Sequence, residues 1–451
     1  MYSYTKMVSN ILFPLHERLK QHTSVSVRNS MEQSQWWSSD KLKSLQISKL
    51  RSMMSDVYKN VPYYTTLINE RGLNPEDVDS VEWVQNLPFL TKSIIKSDTD
   101  SFKSKKVCSL KRFNTGGSSG EPLIFYIGKE RISHDVAAKW RATRWWDVDI
   151  GDPEIVVWGS PVELGSQDYV RAIRDFFLRT HLIPAFEMSQ ENVDKFIEQI
   201  RRIRPAMLFG YPSSLSLIAS HAERKCVALD QLGVKVAFVT SERLYDEQRA
   251  KIEQAFGCPV ANGYGGRDAG FIAHQCPHGG MHITAEDIIL EIIGKNDEVL
   301  PAGEVGEVVV THLATSEFPF IRYRTGDVAA IDYQPCACGR GLPLLSELQG
   351  RTTDFVVAQD GTVMHGLSLI YILRDTSGIE LFQVIQESKN KVTVSIVPGD
   401  QYHNENNIEI VRQFKQRLGQ GVNVIVNLVE NIETEGSGKY RYIKSLENHF
   451  G

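Results

Sequence analysis

Residues 205–240 read PAMLFGYPSSLSLIASHAERKCVALDQLGVKVAFVT and alternate between two hydrophobic patterns. Residues 206–211 and 234–240 are short apolar runs typical of buried strands, whereas residues 212–225 carry apolar side chains at helical spacing. A strand, a helix and a second strand in this order make the repeating unit of a parallel sheet. The stretch therefore predicts an α/β fold.

The same alternation extends outward in both directions. The further segments are two strands, PEIVVWGS (153–160) and CPVANGYG (258–265), and two helices, ENVDKFIEQIRRIRP (191–205) and DEQRAKIEQAF (246–256). Together they predict a largely parallel sheet, whose ligands would bind at loops beyond the carboxyl ends of the strands. Four segments are predicted to lie at such ends: TGGSSG (115–120), GYPSS (210–214), TSE (240–242) and GYGGRD (263–268).

The chain of 451 residues is too long for one hydrophobic core, and its patterns divide it into three regions. Residues 1–90 are predicted to be a helical region, and residues 91–350 the core. Within the core, DIILEII, GEVVVTHL and FIRYRTGDVAAI indicate a strand-rich part at 286–335. Residues 351–451 predict a smaller α+β unit, because strand patterns flank a helical one at 407–419.

The composition is that of an ordinary soluble globular protein, with 42% hydrophobic and 23% charged residues. The formal net charge of −5 gives no sign of a nucleic-acid partner. No apolar stretch approaches the roughly 20 residues that span a bilayer, and the first residues do not form a signal peptide. We therefore expect a cytoplasmic protein, in which ILFPL (11–15) packs against its own domain rather than on a membrane.

The glycine-rich loop lies in RFNTGGSSGEPLIFY, residues 112–126. Glycine allows close approach of the backbone and hydroxyl groups donate hydrogen bonds, so the loop suits either phosphate oxygens or a flexible surface turn. It lacks the lysine of a Walker A loop, which argues against a P-loop NTPase. Positive charge must then come from elsewhere, and Lys439 in TEGSGKYRYI (434–443) is the candidate.

Three further segments carry side chains suited to a nucleotide. Asp327 in YRTGDVA is predicted on a tight turn after a strand, where its carboxylate can accept two ribose hydroxyls or simply stabilise the turn. Arg351 in QGRTTDFV lies at a boundary between regions and suits either a hinge or a phosphate contact. In NGYGGRDAG, the ring of Tyr264 can cover a base and the carboxylate of Asp268 can hold Mg²⁺.

The order of these segments is more specific than any one of them. A Ser/Thr/Gly loop, GYGxxD, YRTGD, GR at a domain junction and a terminal GK resemble the adenylate-forming superfamily, and within it the phenylacetate–CoA ligase branch. The sequence is most similar to the CapK-type subgroup found with polysaccharide gene clusters, from VPYY (61–64) to GSGKYRYI (436–443). The resemblance implies a large adenylation domain of several subdomains and a small, mobile α+β lid at 351–451.

The resemblance also implies roles for individual residues. Catalysis would depend on Lys439, which bridges the carboxylate and the α-phosphate, and on Asp268 at the acidic, Mg²⁺-binding position. Arg267, the third catalytic candidate, would add positive charge beside Asp268. The ATP-binding residues would be Thr115, Gly116, Gly117, Ser118, Ser119, Gly120, Ser241, Glu242, Asn262, Gly263, Tyr264, Gly265, Asp327 and Arg351.

Two positions depart from the family pattern. The usual Tyr-Gly-x-Ser/Thr-Glu is here Tyr264-Gly265-Gly266-Arg267-Asp268, with a shorter acid and an arginine where a hydroxyl is usual. The usual hinge aspartate is Thr353, followed by Asp354. The second departure bears on whether the lid rotates for a thioester-forming step.

A metal site is predicted from HQCPHGGMHITAED (274–287) and QPCACGRGLP (334–343). Cys276, Cys336 and Cys338 with His282 make a plausible tetrahedral zinc set, with His278 as the alternative fourth ligand. All four positions would be filled by protein, so this zinc would be structural. The competing interpretation is three reduced thiols in turns.

The leading functional hypothesis is ATP-dependent, AMP-forming activation of a carboxylic acid, with possible transfer to CoA, to a carrier protein, or to an amine or hydroxyl acceptor such as a sugar. The alternatives are an adenylyltransferase that releases an adenylylated product, and a catalytically silent scaffold. Tyr211, Pro212 and Ser213 are the predicted substrate turn, and analogy suggests a homodimer. Nearby aromatic residues line either the acid pocket or the core: Trp140, Trp145, Trp158, Phe209 and Tyr211.

Overall fold

A computed structural model of the protein describes most of the chain. The described residues are 2–107, 109–114, 123–158, 169–185, 188, 190–349, 355–399, 401–432 and 442–445. In these parts the protein has a mixed α/β architecture, as the strand–helix alternation predicts.

A short hairpin, β1 (Lys111–Asn114) and β2 (Ile124–Ile127), precedes the main sheet and pairs antiparallel. The main sheet has eleven strands in the described part of the chain, in the order β10-β11-β12-β13-β9-β8-β7-β6-β5-β3-β4. These strands are β3 (Glu154–Trp158), β4 (Thr180–Pro184), β5 (Met207–Gly210), β6 (Val236–Thr240), β7 (Val260–Gly266), β8 (Gly270–Gln275), β9 (Met281–Ile283), β10 (Ile288–Ile293), β11 (Gly306–His312), β12 (Tyr323–Asp332) and β13 (Leu344–Gln349).

The sheet divides into a parallel half and an antiparallel half. Strands β3 to β7 pair only in parallel with one another, as predicted for residues 153–265. From β7 onward every pairing is antiparallel, so the strand-rich part at 286–335 extends the same sheet. The prediction of a largely parallel sheet thus holds for one half of it.

Helices cover both faces of the sheet and form the amino-terminal region. They are α1 (Tyr2–Met7), α2 (Phe13–Leu19), α3 (Ser24–Ser34), α4 (Ser39–Asn60), α5 (Pro62–Glu70), α6 (Lys92–Ser97), α7 (Lys129–Arg144), α8 (Tyr169–Leu178), α9 (Gln190–Ile203), α10 (Pro212–Arg224) and α11 (Asp246–Phe256). A π-helical turn, Val8–Leu12, joins α1 to α2, and 3₁₀ turns lie at Pro75–Asp77, Val81–Asn86 and Thr99–Phe102. No helix in the described ranges is both long enough and apolar enough to cross a bilayer.

Two large hydrophobic clusters support the two halves of the sheet. Side chains of α4 and α5, such as Met54 and Tyr64, pack in one core with Val308 and Tyr323 of the antiparallel half. The amino-terminal helices therefore share a core with the sheet. The second cluster lies between α9, α10, α11 and the parallel strands.

The carboxyl-terminal part has its own hydrophobic core. Its strands are β14 (Phe355–Val357), β15 (Val363–His365), β16 (Ile379–Ser388), β17 (Lys391–Pro398), β18 (Asn423–Leu428) and β19 (Ile443–Ser445), with helices α12 (Leu367–Asp375) and α13 (Asn404–Leu418). Four strands form a sheet in the order β18-β17-β16-β19. Alternate residues of β17 and one face of α13 fill the core between them, as the predicted α+β unit requires.

Candidate active site and metal centre

The hairpin of β7 and β8 carries two of the predicted site residues, Tyr264 and Asp268. Strand β7 runs through Gly266, so the turn itself is only the segment 267–269 rather than the whole GYGGRD motif. A Cβ at Gly265 would lie 2.2 Å from the carbonyl oxygen of Gly270 across the hairpin. Glycine at 265 is therefore required for the two strands to approach here.

The main sheet curves so strongly that β12 returns over this hairpin. In the sheet order, β13, β9 and β8 separate β12 from β7. Nevertheless, the Tyr264 hydroxyl donates a hydrogen bond to Oδ2 of Asp327 at 3.0 Å. The Tyr323 hydroxyl donates to Oδ2 of Asp268 at 2.6 Å. The curvature thus brings the GYGGRD and YRTGD motifs into direct contact.

Asp327 lies within β12, so its predicted position on a tight turn after a strand is wrong. Glu307 pairs with Val328 and Val309 with Arg324, which leaves residues 325–327 opposite the single residue Val308. The chain accommodates this bulge through Gly326, whose φ is +76°. A bulge turns a side chain away from the regular alternation of a strand, and here it turns the carboxylate toward Tyr264.

A buried arginine of α7 donates a hydrogen bond to the backbone of the β7–β8 turn. The Arg131 side chain, only 2% exposed, donates from Nη1 to the carbonyl oxygen of Asp268 at 3.3 Å. Arg131 also pairs with Asp135, one helical turn along α7, at 2.9 Å. Burial alone would raise the pKa of the Asp135 carboxyl, but the Arg131 charge and His312 reverse the effect, and the pKa falls below its usual range.

Sequence reasoning missed Arg131 and Tyr323. Arg131 and Asp135 are four residues apart on α7. The same spacing of opposite charges is common on solvent-exposed helix faces, so it does not indicate that this ion pair is buried. Tyr323 lies in the quoted YRTGD motif, but its contact with Asp268 depends on the curvature of the sheet.

The loops after β5 and β6 lie next to each other. Ser241, with φ of +73°, and Glu242 follow β6, and the Ser213 amide donates to Oε2 of Glu242 at 3.4 Å. Pro212 and Ser213 of the predicted substrate turn lie in the first turn of α10, and Ser213 there contacts the predicted adenine position. Pro212 begins α10 directly after Tyr211, as the strand–helix pattern predicts.

The parallel strands also place the first two residues of NGYGGRDAG. The Asn262 amide donates to Oε1 of Gln275 on β8 at 3.0 Å. A Cβ at Gly263 would lie 2.8 Å from the Phe238 ring. Glycine at 263 therefore allows an aromatic side chain of β6 to pack against β7.

The aromatic candidates separate into different places. The rings of Trp158 and Tyr211 stack at 4.4 Å, and Phe209 lies 5.9 Å from Trp158, so these three form one aromatic group. Trp140 instead packs against Phe13 of the amino-terminal helices. Trp145 contacts the ring of His282. Trp140 therefore lies apart from the aromatic group, whereas Trp145 packs against the hydrophobic cluster that contains Phe209.

Several predicted residues lie outside the described ranges: Thr115, Gly116, Gly117, Ser118, Ser119, Gly120, Arg351 and Lys439. Strands β1 and β2 flank the glycine-rich loop. Because these strands pair antiparallel, the loop follows a hairpin strand and not a strand of the parallel sheet. The exposed Arg267 is described and lies in the β7–β8 turn.

The four residues chosen for a metal site lie together. The ligand atoms of Cys276, His282, Cys336 and Cys338 all lie within 4.8 Å of one another. The sulfur atoms of Cys276 and Cys336 are 3.7 Å apart, close to the ~3.8 Å that two Zn–S bonds of ~2.3 Å subtend at a tetrahedral ion. His278, the alternative ligand, is exposed in the preceding turn.

The surroundings of the cluster suit a cation. Nδ1 of His282 lies 3.2 Å from the carbonyl oxygen of Leu342, so a proton on Nδ1 leaves Nε2 free to face the sulfurs. Burial lowers the pKa of His282 to about 4, which keeps the imidazole neutral. Burial raises the pKa of the Cys276 thiol to about 12, so a bound cation is needed to hold its thiolate form. Together with the sulfur spacing, these residues fit a closed zinc site.

Comparison with known proteins identifies the relatives of the chain. The family model for the CapK C-terminal domain matches residues 356–446. Protein CapK of Staphylococcus aureus is 24% identical over 405 residues, which is 88% of each chain. A phenylacetate-coenzyme A ligase of Thermus thermophilus is 21% identical and covers 85% of this chain and 84% of its own.

Solved structures show the same fold. A 2-hydroxyisobutyryl-CoA ligase in complex with 2-HIB-AMP and CoA in the thioesterification state superposes with a TM-score of 0.67 at 19% identity, over 93% of this chain and 92% of that one. The same ligase in the postadenylation state with R3-HIB-AMP gives a TM-score of 0.60 at 18% identity, over 92% and 91%. The chain is therefore a homologue of Protein CapK and of the phenylacetate-coenzyme A ligases, with the fold of an adenylate-forming CoA ligase.

Proposed function

We propose that the protein activates a carboxylic acid with ATP, releases pyrophosphate, and transfers the acyl group from the acyl-adenylate to coenzyme A. The observation that carries the proposal is the hydrogen bond from Tyr264 to Asp327, because it joins the two nucleotide motifs into one site. The names of the relatives support the same chemistry: phenylacetate-coenzyme A ligase for the sequence, and 2-hydroxyisobutyryl-CoA ligase for the fold.

In the first step, a carboxylate oxygen attacks the α-phosphorus of ATP while the bond to the bridging oxygen of pyrophosphate breaks. The nucleophile is already ionised, so no general base is required. The obstacle is the approach of two anions, which positioning and cationic groups lower. We assign the cationic role to Lys439 and the phosphate contacts to the loop at 115–120, on the resemblance of their motifs.

The described residues would hold the nucleoside. In this proposal, the ring of Tyr264 covers the adenine and its hydroxyl holds Asp327, whose carboxylate accepts the ribose hydroxyls. Ser241 and Glu242 border the base, next to Ser213 of the substrate turn. Arg351 would add a contact to the ribose and phosphate.

Asp268 is assigned to Mg²⁺ that accompanies ATP. Its Oδ1 accepts the Ala269 amide at 3.1 Å and its Oδ2 accepts the Tyr323 hydroxyl, so two hydrogen bonds fix the direction of the carboxylate. Each carboxylate oxygen has a second lone pair, which leaves the group able to bind a hard cation. The ion would neutralise phosphate charge.

The Cys/His cluster is assigned to a structural zinc ion. All of its ligands come from the protein, which leaves no open position for substrate. We propose that the ion connects the β8–β9 segment to residues 336–342. It takes no part in the reaction.

The residues beyond 350 are proposed to act as a mobile lid that delivers Lys439. Thr353 replaces the aspartate usual at the hinge of related ligases, so formation of the thioester is tested separately from formation of the adenylate. An amine or hydroxyl acceptor, or release of an adenylylated product, is the alternative to coenzyme A.

The test is carboxylate-dependent ATP–pyrophosphate exchange with a panel of aryl, hydroxy, short-chain and amino acids. We expect exchange with one class of acid, its loss in Lys439→Ala, and full exchange in the control Lys295→Ala, which removes an exposed lysine elsewhere. Coenzyme A is then added to detect a thioester. Absence of both exchange and ATP binding would favour the scaffold.

A further inference from the structure

The helix that runs from α1 through the π turn to α2 exposes a regular apolar stripe. Met7, Ile11, Leu15 and Leu19 lie four residues apart and are 39%, 61%, 54% and 78% exposed. The opposite side of the same helix is buried, since Val8 and Phe13 are 0% and 5% exposed. The sequence prediction that ILFPL packs against its own domain therefore holds for Phe13 but not for Ile11 and Leu15.

Helix α8 adds to this surface. Ile173, Phe176 and Phe177 are 57%, 74% and 48% exposed. The two helices touch, because the Tyr4 hydroxyl donates to the carbonyl oxygen of Phe177 at 3.0 Å. We call the seven exposed residues the apolar face: Met7, Ile11, Leu15, Leu19, Ile173, Phe176 and Phe177.

This concentration is unusual for a surface. Fourteen large hydrophobic side chains are exposed in the described part of the chain, and half of them lie on these two helices. Single exposed apolar residues are normal, whereas a group of them marks a contact with a partner or a membrane. The apolar face is therefore expected to bind an apolar surface, either of a partner or of a membrane.

Cationic side chains flank the apolar face. Lys20 at the end of α2 and Lys111 of β1 are exposed, and Arg174 is partly exposed on α8. Burial lowers the pKa of Lys20, as do the positive charges of Arg174 and Lys111, while Glu17 and Asp175 oppose the shift. Lys6 and Arg18 are also exposed on the first helix.

The acidic groups nearby do not cancel this charge. The carboxylate of Glu17 is directed into the protein, where it contacts His16, His22 and Ser24. Asp175 pairs with Arg174 and offsets one charge. Lys6, Arg18 and Lys20 are exposed on the same helix as the apolar stripe and give its border positive charge.

We propose that the apolar face lies on the surface of an anionic lipid bilayer, with its Ile, Leu and Phe side chains among the acyl chains and Lys20, Lys111 and Arg174 against lipid phosphates. A helix with one apolar side and cationic neighbours has the composition of an interfacial anchor. A second copy of the chain fits less well, because a symmetric contact would place two copies of the same positive groups in one interface. An anionic bilayer satisfies both the apolar and the cationic groups.

The test is flotation of the full-length protein with vesicles of phosphatidylcholine, with and without phosphatidylglycerol. We expect binding to the anionic vesicles and its loss in the triple variant Ile11→Ser, Leu15→Ser, Phe176→Ser. Since all three side chains are exposed, folding should be preserved. The matched control Tyr333→Ser, Ile408→Ser removes exposed apolar residues from other surfaces and should bind normally.

A second set of experiments tests the cationic residues and the oligomeric state. Lys20→Gln with Lys111→Gln should weaken anionic binding on the order of tenfold or more, at low salt above all. No binding of the unmodified protein to anionic vesicles, or equal binding by the triple variant, would overturn the proposal. A dimer that the triple variant dissociates, without vesicle binding, would assign the face to self-association. The apolar face lies outside the proposed active site, so pyrophosphate exchange separates this result from failure of the proposed function.

Discussion

At the scale of single residues, the hydroxyl of Tyr264 is the most direct test of the nucleoside site. It is bonded to the carboxylate of Asp327, and Tyr264→Phe leaves the ring in place but removes this hydrogen bond from the carboxylate. We expect KM for ATP to rise on the order of tenfold, because one hydrogen bond to a charged group is lost, with little change in kcat.

Initial rates of pyrophosphate exchange over a range of ATP concentrations give KM for ATP and kcat separately. Tyr245→Phe is the control, since Tyr245 is an exposed tyrosine at the start of α11. An unchanged KM for ATP in Tyr264→Phe would show that the hydrogen bond does not prepare Asp327 for ribose.

Some residues of the candidate site could be predicted from the sequence around them, and others could not. The order of the motifs resembles that of adenylate-forming enzymes, and this resemblance predicts Tyr264, Asp268 and Asp327 as parts of one site. The partners Tyr323 and Arg131 were not predicted, because both contacts join segments more than fifty residues apart. Such pairs depend on sheet curvature and helix position, which local patterns do not contain.

At the scale of elements, the strand–helix alternation was sufficient for the parallel half of the sheet. The helix predicted at 212–225 is observed at Pro212–Arg224, and the strand predicted at 234–240 at Val236–Thr240. Asp327 was misplaced because Gly-Asp after an apolar run is typical of a turn. Here Gly326 instead forms a bulge, and only the pairing with β11 distinguishes the two.

The Cys/His cluster makes a prediction at the same scale. Cys338→Ser should lower bound zinc, measured by elemental analysis of the purified protein, from about one ion per chain to near zero. The thermal midpoint of unfolding should fall with it, because β9 and the segment at 336–342 lose their connection.

Cys226→Ser is the matched control, since Cys226 is an exposed cysteine outside the cluster. It should keep both the zinc and the thermal midpoint. Zinc at full stoichiometry in Cys338→Ser would remove that sulfur from the ligand set.

At the scale of the whole molecule, the clearest physical division is between the hydrophobic cores. The clusters of the main sheet include residues from α4 to β13, whereas the third includes only residues of the carboxyl-terminal part. A separate core is what a unit needs in order to move as a body. The separation is therefore compatible with the lid proposed above.

The last prediction concerns the stability of the protein in acid, which should depend on His312 at the end of β11. The ring is buried, and its Nδ1 accepts the Ala314 amide at 3.2 Å, which holds it neutral. Burial, helped by the positive charge of Arg131 and opposed by Asp135 and Asp287, lowers its pKa to about 4. An unfolded histidine has a pKa of about 6.5, so between that pH and pH 4 the unfolded chain binds a proton that the folded protein does not.

Stability should therefore fall as the pH drops through this window, by about 3 kcal/mol from this one group. In His312→Asn, the amide oxygen can still accept the Ala314 amide but nothing titrates, so the free energy of unfolding should depend less on pH. Urea unfolding at a series of pH values measures both curves, and their difference isolates His312 from the other buried histidines. The carboxylates whose pKa is lowered in the fold, Asp135 and Asp287, lose their contribution only below their unfolded pKa of about 3.9, outside the window. Parallel curves would mean that the folded protein accepts the proton on His312 as readily as the unfolded chain does.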